Sequence, residues 1–324
     1  MTTKPKVGFY WCASCGGCEE TVVDLDERVL DVVAAVDIVF WPCAMDFKYS
    51  DVAAMADGEM AACFINGAIR TSEQEHIAKL LRRKSSAVIA FGSCACMGGI
   101  PALANLTCRS EIFKRSYIES PTVHSGDTPV IPQESTSVDG IELTLPKVYE
   151  TVLKLDDVID VDYYLPGCPP TADLVATAVG ALLSGKLPPK KSVLLPDKAL
   201  CVSCDRNSSK PDNLTITALK RIHQIKADPE TCFLAQGILC MGPATRDGCG
   251  YPCVKGNMPC TGCFGPVSDA DQGARMTAAL GGITEDNGND LDTMFAGIPD
   301  PAGSFYRYSM SASLLGSIRK GDEK

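Results

Sequence analysis

The first half of the chain alternates between short apolar runs typical of strands and longer stretches with helical spacing. Strand-like runs occupy residues 6–11, 37–42, 61–67, 86–94 and 161–170, and helical spacing occupies 19–35, 72–84 and about 171–184. Thr71 or Ser72 is placed to cap the second of these helices. Strands that alternate with helices form parallel sheets covered on both faces. The pattern therefore predicts an α/β fold with a doubly wound parallel sheet.

The texture of the chain changes after a linker-like segment at residues 185–191. Between residues 201 and 263 there are eight cysteines, many glycines and prolines, and little periodicity. We expect such a segment to lack an ordinary core and to be organised by what its cysteines bind. The predicted domains are therefore 1–186 and 187–324. Within the first, residues 117–147 are rich in Ser, Pro and Thr, which predicts a long surface excursion.

Composition narrows the class of protein. The formal net charge of −10 over 324 residues argues against a nucleic-acid surface. The longest apolar helical stretch, 174–183, is too short to span a bilayer, and the first residues do not resemble a signal peptide. Seventeen cysteines in a long chain are not typical of a disulfide scaffold. We therefore expect a cytoplasmic protein without membrane or nucleic-acid partners, whose reduced thiols bind metal.

The segment "CASCGGCEE" places Cys12, Cys15 and Cys18 three residues apart. A ferredoxin-type run needs a fourth cysteine four residues later, where Val22 stands, so a missing ligand must come from elsewhere in the chain. Cys94 and Cys168 also follow predicted strands. Because loops at the carboxyl ends of parallel strands gather in one crevice, these distant cysteines are expected to converge.

The eight cysteines of the second half make two sets of four. The pairs "CVSC" (201–204) and "CTGC" (260–263) let both thiolates reach one metal centre. Compact pairs of this kind favour zinc, whereas the irregular spacing of the other four suits an iron-sulfur cluster wrapped by loops. Spacing alone leaves both metals open.

Five motifs, in order, resemble those of the small subunit of nickel-iron hydrogenases. They are "CGGCEE" (15–20), "GSCACMGGIP" (92–101), "PGCPP" (166–170), "LCMGPAT" (239–245) and "MPCTGC" (258–263). The resemblance implies a flavodoxin-like sheet followed by a loop-rich cluster domain. It also implies three 4Fe-4S clusters that relay electrons from hydrogen oxidation, with the nickel-iron catalytic centre in a separate large subunit.

The resemblance assigns a ligand set to each cluster and leaves five cysteines spare. It also matches Glu20 to the motif glutamate beside the proximal cluster, where hydrogen bonding or proton handling and a plain helix-start acid are equally open. Buried free cysteines behave as small apolar residues, which we expect of the spare ones. The implied sets are Cys15, Cys18, Cys94 and Cys168 (proximal); Cys249, Cys253, Cys260 and Cys263 (middle); and Cys201, Cys204, Cys232 and Cys240 (distal); the spare cysteines are Cys12, Cys43, Cys63, Cys96 and Cys108.

Two positions depart from the commonest family pattern. Cys201 stands where many members have a histidine ligand, and an all-thiolate site adds negative charge that lowers the potential. Cys253 stands where many members have a proline and a 3Fe-4S cluster. A fourth thiolate there implies a 4Fe-4S cluster.

The segments "AMDFKYSDV" and "NGAIRTSE" resemble the methyl-viologen-reducing, deazaflavin-non-reducing branch of these hydrogenases. That branch implies three partners: the nickel-iron large subunit, a small 2Fe-2S subunit and a flavin-containing heterodisulfide reductase that serves methanogenesis.

Three other interpretations compete. The cluster-bearing subunit of respiratory complex I has tandem cysteines and ends before any eight-cysteine domain. A flavin protein with a zinc domain would need phosphate-binding hydroxyls and amides in its first loop, which here carries thiols. A structural zinc or iron-sulfur scaffold without catalytic partners is the third.

Overall fold

The computed structural model describes residues 4–124, 130–268, 271–284 and 296–316. In chain order, its strands are β1 Lys6–Trp11, β2 Asp37–Phe40, β3 Ala62–Asn66, β4 Ile69–Thr71, β5 Val88–Phe91, β6 Ser135–Val138, β7 Ile141–Thr144, β8 Val148–Leu153 and β9 Tyr163–Leu165. Its α-helices are α1 Gly17–Val23, α2 Arg28–Ala35, α3 Tyr49–Ala54, α4 Ser72–Lys84, α5 Gly92–Met97, α6 Arg109–Lys114, α7 Ala172–Leu183, α8 Pro252–Lys255, α9 Gln272–Gly281 and α10 Pro301–Phe305.

The central sheet has the order β2-β1-β3-β5-β9, and all of its neighbouring strands pair in parallel. The predicted doubly wound α/β fold is therefore confirmed. Alternate residues of a strand point to opposite faces. Cys63 and Ile65 of β3 accordingly enter one buried cluster, while Ala62 and Phe64 enter the other. Burial on both faces explains why the strands are almost continuously apolar.

The helix predicted over 19–35 is wrong as a single element. The chain forms α1 and then α2, with a break in which Asp26 adopts a left-handed conformation with φ 53°. Leu25 in this break is buried in the core, and Val29 and Val32 of α2 pack against the same cluster. Apolar spacing alone resembled one helix because both helices and the turn bury apolar side chains against one face of the sheet.

The predicted cap of α4 is confirmed at Thr71. The Thr71 hydroxyl accepts a hydrogen bond from the Gln74 backbone N–H at 3.3 Å, and the Gln74 side-chain oxygen accepts from the Thr71 N–H at 3.1 Å. This reciprocal capping box satisfies two backbone donors of the first turn. It fixes the start of the helix that covers the other face of the sheet.

The described part of the predicted surface excursion is exposed. It contains the two-stranded hairpin β6–β7, in which every residue of both strands is solvent-exposed. Residues 125–129 of the excursion lie outside the described residues. The hairpin stands apart from the central sheet, and β8 after it pairs with β4.

The second half has more of a core than the sequence predicted. Its cysteine-bearing segment is indeed made of short 3₁₀ turns and loops, but Leu219, Leu234 and Met241 are buried against Met276 and Leu280 of α9. The expectation failed because helix α9 lies beyond the cysteines in sequence and supplies the apolar face that they lack locally. Whether the chain divides into domains at residues 186 and 187 stays a prediction.

The C-terminal part of the described chain returns to the first half. The Gly99 backbone N–H donates to the Tyr308 carbonyl at 3.1 Å, and the Ser311 hydroxyl donates to the Val152 carbonyl at 2.6 Å. Asn105 joins both elements by donating to the same carbonyl and to the Ser311 hydroxyl. These bonds hold the cysteine-rich loops against the carboxyl edge of the sheet. In the described ranges, no helix combines the length and apolarity needed to cross a bilayer.

Asp162 anchors the linker to the sheet through a buried carboxylate. Its oxygens accept from Arg82 at 2.5 Å, from Lys190 at 2.6 Å and from the Val88 backbone N–H at 2.8 Å. Burial pushes the pKa of this carboxyl upward, but these hydrogen bonds outweigh burial, so its net pKa lies below the ordinary value. A depressed carboxyl pKa stabilises the fold above the unfolded-state pKa, and that contribution is lost as the pH falls through the folded-state value.

We predict that Asp162→Asn lowers the free energy of unfolding by about 2–3 kcal/mol at neutral pH, because it leaves Arg82 partly unpaired in a buried place. The wild-type advantage should vanish as the pH falls below about 4, where the carboxyl protonates. Urea titrations of anaerobically prepared protein at both pH values measure this. Asp160→Asn is the matched control, since its pair with Lys191 is exposed and contributes little. An equal effect of both substitutions would contradict the prediction.

Candidate metal centres

The predicted proximal set comes from three loops at one edge of the sheet. Cys15 follows β1, Cys18 lies in the first turn of α1, Cys94 lies in α5 directly after β5, and Cys168 follows β9. Burial raises the pKa of the Cys18 thiol, and the sulfurs of Cys94, Cys168 and Cys15 raise it further by their proximity. The structure thus brings these four cysteines together, although 153 residues separate the first from the last (168 − 15).

Two glycines make room for the proximal sulfurs. A Cβ on Gly92 would lie 2.2 Å from the Cys18 sulfur, and one on Gly99 would lie 2.5 Å from the Cys94 sulfur. Both glycines have positive φ, at 84° and 58°. Only glycine combines this backbone conformation with so close an approach. The loop after β5 is therefore shaped around the sulfur atoms.

Ser93 ties the proximal loops to the second half of the chain. Its backbone N–H donates to the Gly167 carbonyl at 2.8 Å, and the Gly167 N–H donates back to the Ser93 hydroxyl at 3.0 Å. The same hydroxyl donates to the Cys263 carbonyl. One side chain therefore joins the loop before Cys94, the loop before Cys168 and the loop of a middle-set cysteine.

The buried carboxylate beside the proximal set is Glu19, which the sequence analysis did not single out. Its side chain is 5% exposed and accepts from the Trp41 indole N–H at 2.9 Å, from the Asn66 amide at 2.9 Å and from the Cys43 thiol. The motif residue Glu20 is exposed at the surface next to Cys18. Its role beside the proximal set stays a prediction.

The predicted middle set lines one cavity. Cys249, Cys253, Cys260 and Cys263 all face it, and the proximal residue Cys168 lines the same cavity. Burial raises the pKa of the Cys263 thiol to about 12, the sulfurs of Cys249, Cys168 and Cys253 add to the rise, and the Cys168 backbone N–H opposes it by hydrogen bonding to the sulfur. The middle and proximal sets are therefore in direct contact.

The predicted distal set lines a second cavity. Cys201, Cys204, Cys232 and Cys240 all face it, together with Cys260 of the middle set. Burial raises the pKa of the Cys240 thiol to about 11, while the backbone N–H groups of Gly242 and Cys260 lower it by donating to its sulfur. The distal and middle sets are thus joined in the same manner as the middle and proximal sets.

The sulfur environments fit clusters bound by thiolates. Burial opposes ionisation of a free thiol, whereas a coordinating metal deprotonates it outright. Backbone N–H groups aimed at sulfur stabilise the negative charge that results, as the Tyr251 N–H does at 3.3 Å from the Cys249 sulfur. Across the described ranges, no three His, Cys, Asp or Glu side chains are gathered as a single-ion site would require.

Two basic residues beside the distal set were also missed by the sequence analysis. Arg206 and Lys210 line the distal cavity with the four cysteines. Burial raises the pKa of the Cys201 thiol to about 12, the Cys240 sulfur adds to it, and the Lys210 ammonium opposes it. A positive side chain two residues after Cys204 was the only available signal, and it is not distinguishable in sequence from a solvated arginine.

The spare cysteines divide into two groups. Cys12, Cys63 and Cys96 are buried in one core cluster, so the expectation that they act as apolar residues is confirmed for these three. Cys43 is exposed and donates to Glu19, and Cys108 is partly exposed beside the Ser110 hydroxyl. For these two the expectation is wrong, because each lies at the surface, outside the cores of the two sheet faces.

Comparison with known proteins first defines the class. Residues 15–182 match the sequence model of the family "NADH ubiquinone oxidoreductase, 20 Kd subunit". This region contains all four cysteines of the proximal set and ends before the other eight. The fold agrees with that of a recombinant NiFeSe hydrogenase from Desulfovibrio vulgaris Hildenborough, with a TM-score of 0.53 at 16% identity over 84% of this chain and 97% of that one.

Full-length relatives define the branch. The chain is 40% identical over 314 residues to the iron-sulfur subunit of the F420-non-reducing hydrogenase of Archaeoglobus profundus, covering 96% of this chain and 97% of that protein. It is 36% identical over 320 residues to the like-named F420-non-reducing hydrogenase subunit of Methanothermobacter thermautotrophicus, covering 97% of each. The chain belongs to the 20 kDa-subunit oxidoreductase family, and within it to these subunits of F420-non-reducing hydrogenases. It is therefore a hydrogenase subunit, as the motifs predicted.

We predict that Gly99→Ala removes the proximal cluster, because the added methyl group would lie 2.5 Å from the Cys94 sulfur and displace it. Anaerobically purified protein should lose about four iron atoms per chain. Gly180→Ala in α7 is the matched control, since a Cβ there meets no atom within 4 Å. Iron analysis of both variants measures the effect. Full iron content in Gly99→Ala would contradict the assignment of Cys94.

Proposed function

We propose that this chain is the electron-transfer small subunit of a nickel-iron hydrogenase, with one 4Fe-4S cluster in each of its three cysteine sets. Iron-sulfur clusters supply one-electron transfer at potentials set by ligand type, charge and hydrogen bonds to sulfur. The proposed ligands are the proximal, middle and distal cysteines named above.

One observation carries the proposal: the three sets form a continuous series. Cys168 of the proximal set lines the middle cavity, and Cys260 of the middle set lines the distal cavity. At each junction a backbone N–H of one set donates to a sulfur of the next. A structural zinc scaffold has no need of such junctions, whereas electron transfer requires neighbouring centres to be close.

The two ends of the series differ in exposure, which suggests their partners. At the proximal end, Cys15, Cys168 and Glu20 are exposed at the carboxyl edge of the sheet, where a large subunit bearing the nickel-iron centre would dock. At the distal end, Val202 between two ligands is 65% exposed. We assign this end to the electron-accepting partners, a small 2Fe-2S subunit and a flavin-containing heterodisulfide reductase, in the cytoplasm.

Anaerobic purification of the chain with its co-eluting partners tests the proposal. We predict about twelve iron and twelve acid-labile sulfide per chain, and nickel in a co-eluting large subunit. Zinc without sulfide would favour the scaffold interpretation instead. Iron and sulfide at about four per chain would leave only the proximal assignment standing and contradict the relay.

Cys253 gives a specific test of the middle set. It is exposed and is the second residue of α8, directly after Pro252. We predict that Cys253→Pro converts the middle cluster to a three-iron form, because only three thiolates remain. Electron paramagnetic resonance of the oxidised protein should then show a new signal. Cys108→Ser, which removes a spare cysteine, is the control; an unchanged spectrum in Cys253→Pro would show that Cys253 is not a ligand.

A further inference from the structure

The distal set has a charge that its surroundings must balance. Four thiolates carry one more negative charge than a set of three thiolates and one imidazole. Additional negative charge lowers the potential of an iron-sulfur cluster, and nearby positive charge raises it. The side chains that face the distal cavity therefore decide whether Cys201 shifts the potential by its full amount.

Arg206 is a buried cation at this cavity. Its side chain is 6% exposed. One guanidinium nitrogen donates to the carbonyls of Asp228 at 3.2 Å and Thr231 at 3.4 Å. The other donates to the Val254 carbonyl at 3.0 Å and to the Asn257 side-chain oxygen at 2.9 Å. All four acceptors are neutral, so they hold the guanidinium in place without neutralising it.

No ion pair compensates this charge within the described part of the chain. The Asp228 carboxylate accepts from the Glu230 backbone N–H at 3.0 Å and the Thr231 hydroxyl at 2.8 Å, and Arg206 only contributes to keeping its pKa low. The guanidinium also stacks on the Phe233 ring, 4.3 Å from its centroid. Burying a cation without a counter-charge is costly. The four thiolates of the distal set are the negative charges that this cavity offers.

Lys210 adds a second positive charge from the solvent side. It is exposed, lines the same cavity as the four cysteines, and has no ion-pair partner among the described residues. The Asp205 carboxylate next to Arg206 accepts instead from the Tyr251 hydroxyl at 2.9 Å. The two cations therefore differ in burial but face the same sulfur atoms.

We propose that Arg206 and Lys210 are charge-compensating residues that raise the potential of the distal cluster and offset the extra thiolate of Cys201. This inference rests on the proposed function, because it requires a cluster in the distal set. Arg206 has the larger effect, since a buried charge is screened less by water and salt than an exposed one.

Redox titrations of the purified complex, followed by electron paramagnetic resonance, test the inference. Cys201→His identifies the distal signal, because a neutral imidazole in place of a thiolate raises its midpoint potential. We expect Arg206→Gln and Lys210→Gln each to lower the midpoint potential of that signal only. Arg206→Lys should stay near wild type. Lys186→Gln, which removes an exposed linker charge, should leave all three signals unchanged.

Salt separates the two contributions. The Lys210→Gln shift should shrink at high ionic strength, while the Arg206→Gln shift should persist. A purely structural role for Arg206 predicts that Arg206→Lys is as impaired as Arg206→Gln, which would overturn its assignment. If Arg206→Gln does not assemble its cluster, Lys210→Gln decides, and an unchanged potential there overturns the inference. Wild-type protein without a distal cluster, seen by iron content, would instead overturn the proposed function.

Discussion

The structure depends on burying many sulfur atoms side by side without leaving their negative charge unsupported. Parallel strands deliver their carboxyl ends to one edge of the sheet, so the loops after β1, β5 and β9 meet there. Glycines at the contacts, such as Gly92, remove the carbon atoms that would collide with sulfur. Backbone N–H groups then point at the sulfurs. Each of these features has a local cost that only bound clusters offset.

The second half of the chain follows from the same constraint. It lacks the regular elements that would satisfy its own backbone, and it packs instead on α9 and on the edge of the sheet. Ser93 is the clearest link, because one hydroxyl touches the loops of two different cysteine sets. Contacts of this kind make the relative position of neighbouring sets a property of the fold rather than of flexible loops.

The polar surroundings differ from one set to another, and this difference bears on function. The proximal set lies beside a buried carboxylate, Glu19, held by an indole and an amide. The distal set lies beside a buried guanidinium, Arg206, held by carbonyls. Since charge near a cluster shifts its potential, the protein has the means to order the potentials along the series even though all twelve ligands are of one type.

The sequence by itself determined the parallel sheet, the cap at Thr71 and the family, because periodicity, capping and motif order are local or additive signals. It also determined which cysteines stand at motif positions. Only the tertiary structure decided that helix 19–35 breaks so that Leu25 is buried, that Glu19 rather than Glu20 is the buried carboxylate, and that Cys43 lies at the surface. It also placed Arg206 at the distal cavity. Burial and long-range contact decide these points, and neither is encoded in the spacing of neighbouring residues.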